Sequence, residues 1–239
     1  MYIKPDEQLK SEELIIGDVV IKHQNTMKIL GLTLSDDLKY DEHLFKGKQN
    51  MVKSINAKSA IIRLIKPFIP VKSLAMVGGA LINSTILYAA PVWGLTSLTN
   101  IMKVQSSQIK AARIITGLKK KGGKREHRQT ILDQLNWPNT TQIVQSASLN
   151  IVERAICLTA SEDINNLFLT KEPLNMRKGK GQILSHKGPR DRPNTHFSAN
   201  GVKLFNSLPH DFRQQTINCS KFKDQIKSYS RTINLLQKH

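Results

Sequence analysis

Two sets of residues in this sequence have the types and spacing to do chemistry. The first is the adjacent pair Asp36-Asp37, which follows the apolar run MKILGLTL from Met27 to Leu34. Paired carboxylates after an apolar strand are one way to hold Mg²⁺ in a two-metal polymerase site. Such a pair sits at a hairpin tip between two apolar strands. Here Leu38-Lys39-Tyr40-Asp41-Glu42 comes next and offers no second strand, so the pair reads as a turn or a helix entry. The second set is basic. Lys103, Ser106, Lys110 and Arg113 fall at i, i+3, i+7 and i+10, one face of a helix. Alone, that face is an ordinary solvated one. It leads, however, into Lys119, Lys120, Lys121, Gly122, Gly123, Lys124 and Arg125, a basic loop that a phosphate backbone could follow. The candidate nucleic-acid-binding residues are therefore Lys103, Lys110, Arg113, Lys119, Lys120, Lys121, Lys124 and Arg125.

Composition points the same way. Thirty-six Lys plus Arg against 18 Asp plus Glu leave a net charge of +18 on 239 residues, with a pI near 10.0. An excess that large predicts a polyanionic partner, and nucleic acid is the default one. A basic structural or ribosome-associated RNA-binding protein is the alternative, and an anionic membrane surface comes third. Cys157 and Cys219 are far apart and lack a CxxC or His-spaced setting, so no zinc site follows and reduced, intracellular cysteines are expected. The seven histidines are scattered, with no metal constellation. The first residues, MYIKPDEQLKSEE, are polar, and no signal peptide is expected. The expected compartment is nuclear or cytoplasmic.

The positioning elements are organised around Ser73 to Met102, thirty residues without a charge in a chain that is 23% charged. Asn83, Ser84 and Thr85 in mid-run and Pro91 beyond them argue against a membrane span. A Gly-Gly pair inside a helical pattern, Gly78-Gly79, marks close packing more often than a phosphate cradle. The run is read as the core of a small helical unit. Before it, Leu14-Ile15-Ile16 and Val19-Val20-Ile21 flank Gly17-Asp18 as a hairpin, and Met27 to Leu34 is a third strand with Gly31 inside it. A helix should start at Asp41 as N-cap and run to Pro67, with Leu44, Met51, Val52, Ile55, Ile62 and Ile65 at helical spacing. A second runs from Val71 to Tyr88 and is closed off by Pro91. A third starts near Ser97 or Thr99, buries Leu98, Ile101, Ile109, Ala112 and Ile115, and stops at Gly117.

Two more amphipathic helices follow, His127 to Trp137 and Thr140 to Leu158, separated by Pro138. Lys171 to Pro193 is rich in Pro, Gly, Lys and Arg and reads as a flexible basic linker. The end regains order, with a short helix around Ala199 to Phe205, a turn at Ser207-Leu208-Pro209, and a helix from Ser220 that carries Phe222, Ile226 and Tyr229.

Several of these pieces line up with one family. Lys28-Ile29-Leu30-Gly31-Leu32 is similar to a K-x-L-G pattern, and Leu38-x-Tyr40-x-x-His43 to L-x-W-x-x-H. The stretch from Leu87 and Tyr88 to Trp93-Gly94 is similar to L-x-Y-G-x-x-x-W. Gln105, Gln108, Ala111, Arg113, Ile115 and Gly117 match Q-x-x-Q-x-x-A-x-R-x-I-x-G, and Phe205-Asn206-x-Leu208-Pro209 with Phe222-Lys223 look like W-N-x-L-P and F-K. In this order the motifs resemble the carboxy-terminal part of reverse transcriptases of non-LTR (LINE-like, jockey-type) retrotransposons, from about Met27 to Tyr229. Tyr40 and Phe205 stand where the family often has Trp. The family's catalytic Tyr-x-Asp-Asp lies upstream of the K-x-L-G strand, and this chain begins after it.

The resemblance implies a mainly α fold: a short N-terminal β-hairpin or sheet remnant, then a helical thumb-like bundle and further helices. Residues 1–36 would be the end of the palm, with Leu30, Gly31 and Leu32 primer-grip-like, and 37–118 the thumb that holds a template–primer duplex. Residues 119–170 would be a basic loop and helical extension, 171–195 the linker and 196–239 a C-terminal helical segment. It further implies a nucleic-acid partner (an RNA/DNA duplex), a missing palm domain as a second partner, and no membrane. Catalytic residues, metal and cofactor would all be absent from this chain, the parent polymerase using Mg²⁺.

Overall fold

A computed structural model of the chain describes residues 14–118, 125–171, 183–186, 197–209 and 212–213. It is mainly helical, with short antiparallel strands at the N-terminus. Strands β1 (Leu14–Ile16) and β2 (Val19–Ile21) pair as the expected hairpin, with Gly17 at φ +61 in the turn. The third strand is in fact two. β3 (Thr26–Ile29) and β4 (Leu32–Ser35) pair across Leu30-Gly31, both at positive φ (47 and 82). Two consecutive positive φ values are what a two-residue hairpin turn of the I′ kind requires, so Gly31 makes a reversal and not a bulge. Apolar residues in β1 and β2 stay exposed: Ile15, Ile16, Val19, Val20 and Ile21 all lie outside the core.

The first long helix is also interrupted. Glu42–Lys46 forms a π-helical turn, the chain extends at Gly47, and a new helix, α1 (Met51–Ile65), starts at Asn50. Asn50 explains the break. Its Oδ1 accepts from the Lys53 N–H at 2.8 Å while its Nδ2 donates to the carbonyls of Phe45 (2.6 Å) and Gly47 (2.9 Å). It thereby satisfies backbone groups on both sides of the junction. Asp41 does not cap; its Oδ1 accepts from Asn100 Nδ2 at 2.7 Å, on a helix far along the chain.

Helix α2 (Val71–Leu87) enters on Pro70 and ends where Ala89 takes φ +50, which turns the chain into the short helix α3 (Ala90–Trp93). Trp93 is wholly buried in this corner, its Nε1 donating to the Tyr88 carbonyl at 3.0 Å. Helix α4 (Leu98–Thr116) is capped by Ser97 and terminated by Gly117 at φ +73. Leu98, expected inside, is exposed in its first turn, while Ile101, Ile109, Ala112 and Ile115 are buried. Helices α1, α2 and α4 pack pairwise as the expected three-helix unit.

The glycine pair is a packing site, but its partner is not simply another helix. A Cβ on Gly78 would lie 2.6 Å from Ile115 Cδ1 and 3.0 Å from Trp137 Cζ2; one on Gly79 would lie 3.1 Å from Trp137 Nε1. The indole of Trp137 covers both glycines and donates to the Ala75 carbonyl at 3.1 Å. Asn83, polar in the middle of the uncharged run, accepts from Gln108 Nε2 at 2.9 Å. Gln108 also donates to Pro138 O (2.8 Å) and accepts from Thr140 Oγ1 (3.1 Å). With those groups paired, the polar seam between three helices costs little to bury.

Trp137 lies between α5 (Arg125–Gln134) and α6 (Thr140–Ile156), the latter opened by an Asn139–Gln142 capping box. Helix α6 spans two cores. Its Ile143, Val144 and Ala147 join the three-helix core, and its Leu149, Val152 and Ala155 join a second core. In the second core they meet Phe168, Leu204, Phe205 and Leu208. A short helix, α7 (Glu162–Asn165), leads to β5 (Phe168–Lys171), which pairs with β6 (Ile183–His186). Helix α8 (Phe197–Asn206) packs on α6. The segment read as a linker therefore holds a paired strand; the remainder of it, 172–182 and 187–193, lies outside the described residues. So does the expected helix from Ser220. Cys157, expected reduced, is disulfide-bonded; Cys219, the other cysteine, lies outside the described residues. Linear spacing does not reveal which segments fold beside a cysteine.

Candidate nucleic-acid interface

Helix α4 is surrounded by α1, α2, α5 and α6, so little of it meets solvent. What does is a narrow strip that includes Lys103 and Lys110, both exposed, with Ser106 and Arg113 half-buried along it. The expected basic face is thus real in part. Lys103 sits with its Nζ 5.3 Å from the centroid of the Phe45 ring. Ser106 turns back to the Met102 carbonyl at 2.9 Å, and the Nε of Arg113 is buried. Two exposed cationic heads remain among the described residues of the strip, Lys103 over the Phe45 ring and Lys110. The loop that should extend the strip, with Lys119, Lys120, Lys121 and Lys124, lies outside the described residues, and Arg125 begins α5.

A second basic feature was not foreseen. The β3–β4 turn, the π-helical turn, α1 and the end of α2 enclose an open cleft of about 670 Å³. Four lysines line it, Lys28, Lys48, Lys53 and Lys58, and among the described residues no carboxylate does. Three of them are steered by neutral acceptors. Lys28 Nζ donates to Gln49 Oε1 at 3.2 Å, Lys53 Nζ to the Lys48 carbonyl at 3.4 Å, and Lys58 Nζ to Thr85 Oγ1 at 2.5 Å. Neutral partners orient an ammonium without cancelling its charge, so the cleft offers an anion several uncompensated cations from different sides.

Of the primer-grip-like residues, Gly31 lines this cleft, and Leu30 is exposed with its carbonyl accepting from the Tyr88 hydroxyl. Leu32 is buried in the core. His43 is on the cleft wall and buried; its Nδ1 accepts from the Thr33 N–H at 3.5 Å, and burial pushes its pKa below the usual histidine value. The imidazole is accordingly neutral near pH 7, with its proton on Nε2.

Sequence periodicity had little means of finding the cleft. Lys53 and Lys58 are five residues apart, about 140° around a helix, and so form no stripe. Both line the cleft all the same. Lys28 comes from a hairpin that only the tertiary structure brings alongside.

Asp36 and Asp37 build a turn after β4. Asp37 accepts from Ser35 Oγ at 2.6 Å and from the Lys39 N–H at 3.1 Å, and pairs with Lys39 Nζ at 3.0 Å. The Ser35 hydroxyl, then the Lys39 amine and amide, hold its pKa down to about 2. Its oxygens are engaged locally, as in an Asx turn.

Among the described residues no helix is long and apolar enough to cross a membrane. No family model, curated protein or solved structure matches this chain.

Proposed function

We propose that this chain binds nucleic acid through the phosphate backbone, as the thumb and carboxy-terminal region of a non-LTR retrotransposon reverse transcriptase. The observation that carries the reading is the cleft beside the β3–β4 turn, with four lysines and, among the described residues, no carboxylate on its walls. The strip of Lys103 and Lys110 on α4 and the net charge of +18 support it further. Contacts of this type position a backbone and carry little sequence information. The chain performs no chemistry in this reading. Nucleotidyl transfer and its Mg²⁺ belong to a palm domain, which is also the partner for the exposed apolar hairpin β1–β2, while Asp36 and Asp37 keep their turn.

The test is fluorescence anisotropy with a labelled RNA–DNA duplex across a salt series. Four engaged lysines give a log–log slope near −3.6 on a B-form scale of about −0.9 per phosphate, so raising salt fourfold weakens binding by roughly two orders of magnitude. Different duplex sequences should bind alike. Binding that ignores salt, or that prefers one sequence strongly, overturns the proposal, as does no binding at all.

A further inference from the structure

The cleft is sized for a strand and not for a duplex. Its volume of about 670 Å³ falls in the range of small-ligand sites, about 300–1,000 Å³, which suits one or two nucleotides. A double helix can lie across its mouth but cannot enter. The groups inside are also those that an unpaired strand uses, a cationic groove with an aromatic ring on its wall. Tyr88 is that ring. It is 53% exposed, lines the cleft, and is tethered through its hydroxyl to the Leu30 carbonyl, which restricts its swing. Facing it is Gly31, at φ +82, whose Cβ position is in ordinary van der Waals contact with the Tyr88 hydroxyl oxygen at 3.7 Å. Lys28, Lys53 and Lys58 reach in from the hairpin and from α1. The buried Nε2 of His43, on the same wall, has no acceptor among the described residues.

We infer that the cleft takes an unpaired nucleic-acid strand of about two nucleotides, with phosphates on Lys28, Lys53 and Lys58 and one base stacked on Tyr88. The inference rests on the proposed phosphate-backbone binding and adds to it a preference for single-stranded ends or junctions. Base stacking tolerates any sequence, because every base has a π face.

The full chain is titrated against a blunt duplex and the same duplex carrying a five-nucleotide unpaired tail with 2-aminopurine at one tail position. The tail should tighten binding about tenfold, within the range for one stacked base, and 2-aminopurine emission should be quenched on binding. Tyr88→Ala should abolish the gain and the quenching while blunt-duplex affinity and its salt slope persist. Tyr88→Phe should keep most of both. Lys53→Glu with Lys58→Glu, exposed or half-exposed positions that leave the core intact, should weaken blunt and tailed duplexes alike and leave no difference between them, even if Tyr88→Ala fails to fold. Blunt and tailed duplexes binding equally, without quenching, overturn the inference and leave backbone binding standing. If neither duplex binds, the underlying proposal fails instead. An acidic peptide such as oligo-glutamate that displaces the tail at equal charge concentration would also overturn it, marking the cleft as a general anion site.

Discussion

The strip on α4 and the cleft beside α1 are both basic, but they are built differently. The strip comes from one helix, and its charges follow from spacing along eleven consecutive residues, Lys103 to Arg113. Packing then trims it. Arg113 is partly withdrawn and Ser106 bonds its own helix, so two exposed lysines remain along the helix. The cleft gathers Lys28, Lys48, Lys53 and Lys58 from a hairpin, a helix junction and a helix into one concave site. Several cations converging on a concave site focus the potential more than the same number along a ridge. On the proposed function, the surface assembled from distant segments should therefore bind the phosphate backbone more tightly.

The largest expected effect tests what holds the two regions together. Trp137 lies over Gly78-Gly79 and is tied to Ala75, joining α2, which carries one wall of the cleft, to the α5–α6 turn. Trp137→Ala should destabilise the fold by about 3–5 kcal/mol, as for other buried Trp truncations, measured by urea unfolding. A loss below about 1 kcal/mol would mean that the indole does not couple the bundle.

Charge reversals of equal size at the two regions rank cleft against strip. Lys53→Glu with Lys58→Glu should lower duplex affinity by roughly two orders of magnitude at low salt, and Lys103→Glu with Lys110→Glu by about tenfold, each reversal adding repulsion to a lost phosphate contact. Three reversals at Arg177, Lys178 and Lys180 serve as the control for general charge and should cost least. Equal losses at all three places would reduce the binding to diffuse polycation attraction, and a larger loss at α4 would invert the ranking of strip and cleft.

The smallest effect concerns Asp37, which belongs to neither region. Its folded pKa of about 2 lies below the usual 3.8, so its contribution to stability is present above about pH 4 and is lost as pH falls through 2. The group is well exposed, so the effect is small. Asp37→Asn should flatten that acid limb in thermal melts and leave nucleic-acid binding at neutral pH unchanged. Loss of binding in this variant would return the acidic pair to the functional site.

Much of the helical scaffold was legible in the chain because local physics sets it. Helix α2 begins on Pro70, Gly117 supplies the left-handed residue that ends α4, and apolar residues at helical spacing name Ile101, Ile109, Ala112 and Ile115 as core. Hairpin β1–β2 follows from β-branched flanks around Gly17-Asp18. Where two local solutions competed, tertiary context decided. Met27 to Leu34 could extend as one strand or reverse at Leu30-Gly31, and the reversal places Tyr88 against Leu30. The chain from Asp41 to Pro67 could run as one helix, but Asn50 serves both sides of a break and Asp41 is taken by Asn100.

A basic, mainly helical chain, an uncharged central run and a cationic edge on one helix follow from linear order, because charge, periodicity and end signals are properties of neighbouring residues. Only the tertiary structure decided that Trp137 fills the space left by two glycines, that α6 serves two cores, and that four lysines with no common helical face enclose one cleft. Those features depend on which segments meet, and the meeting is settled by packing over the whole chain.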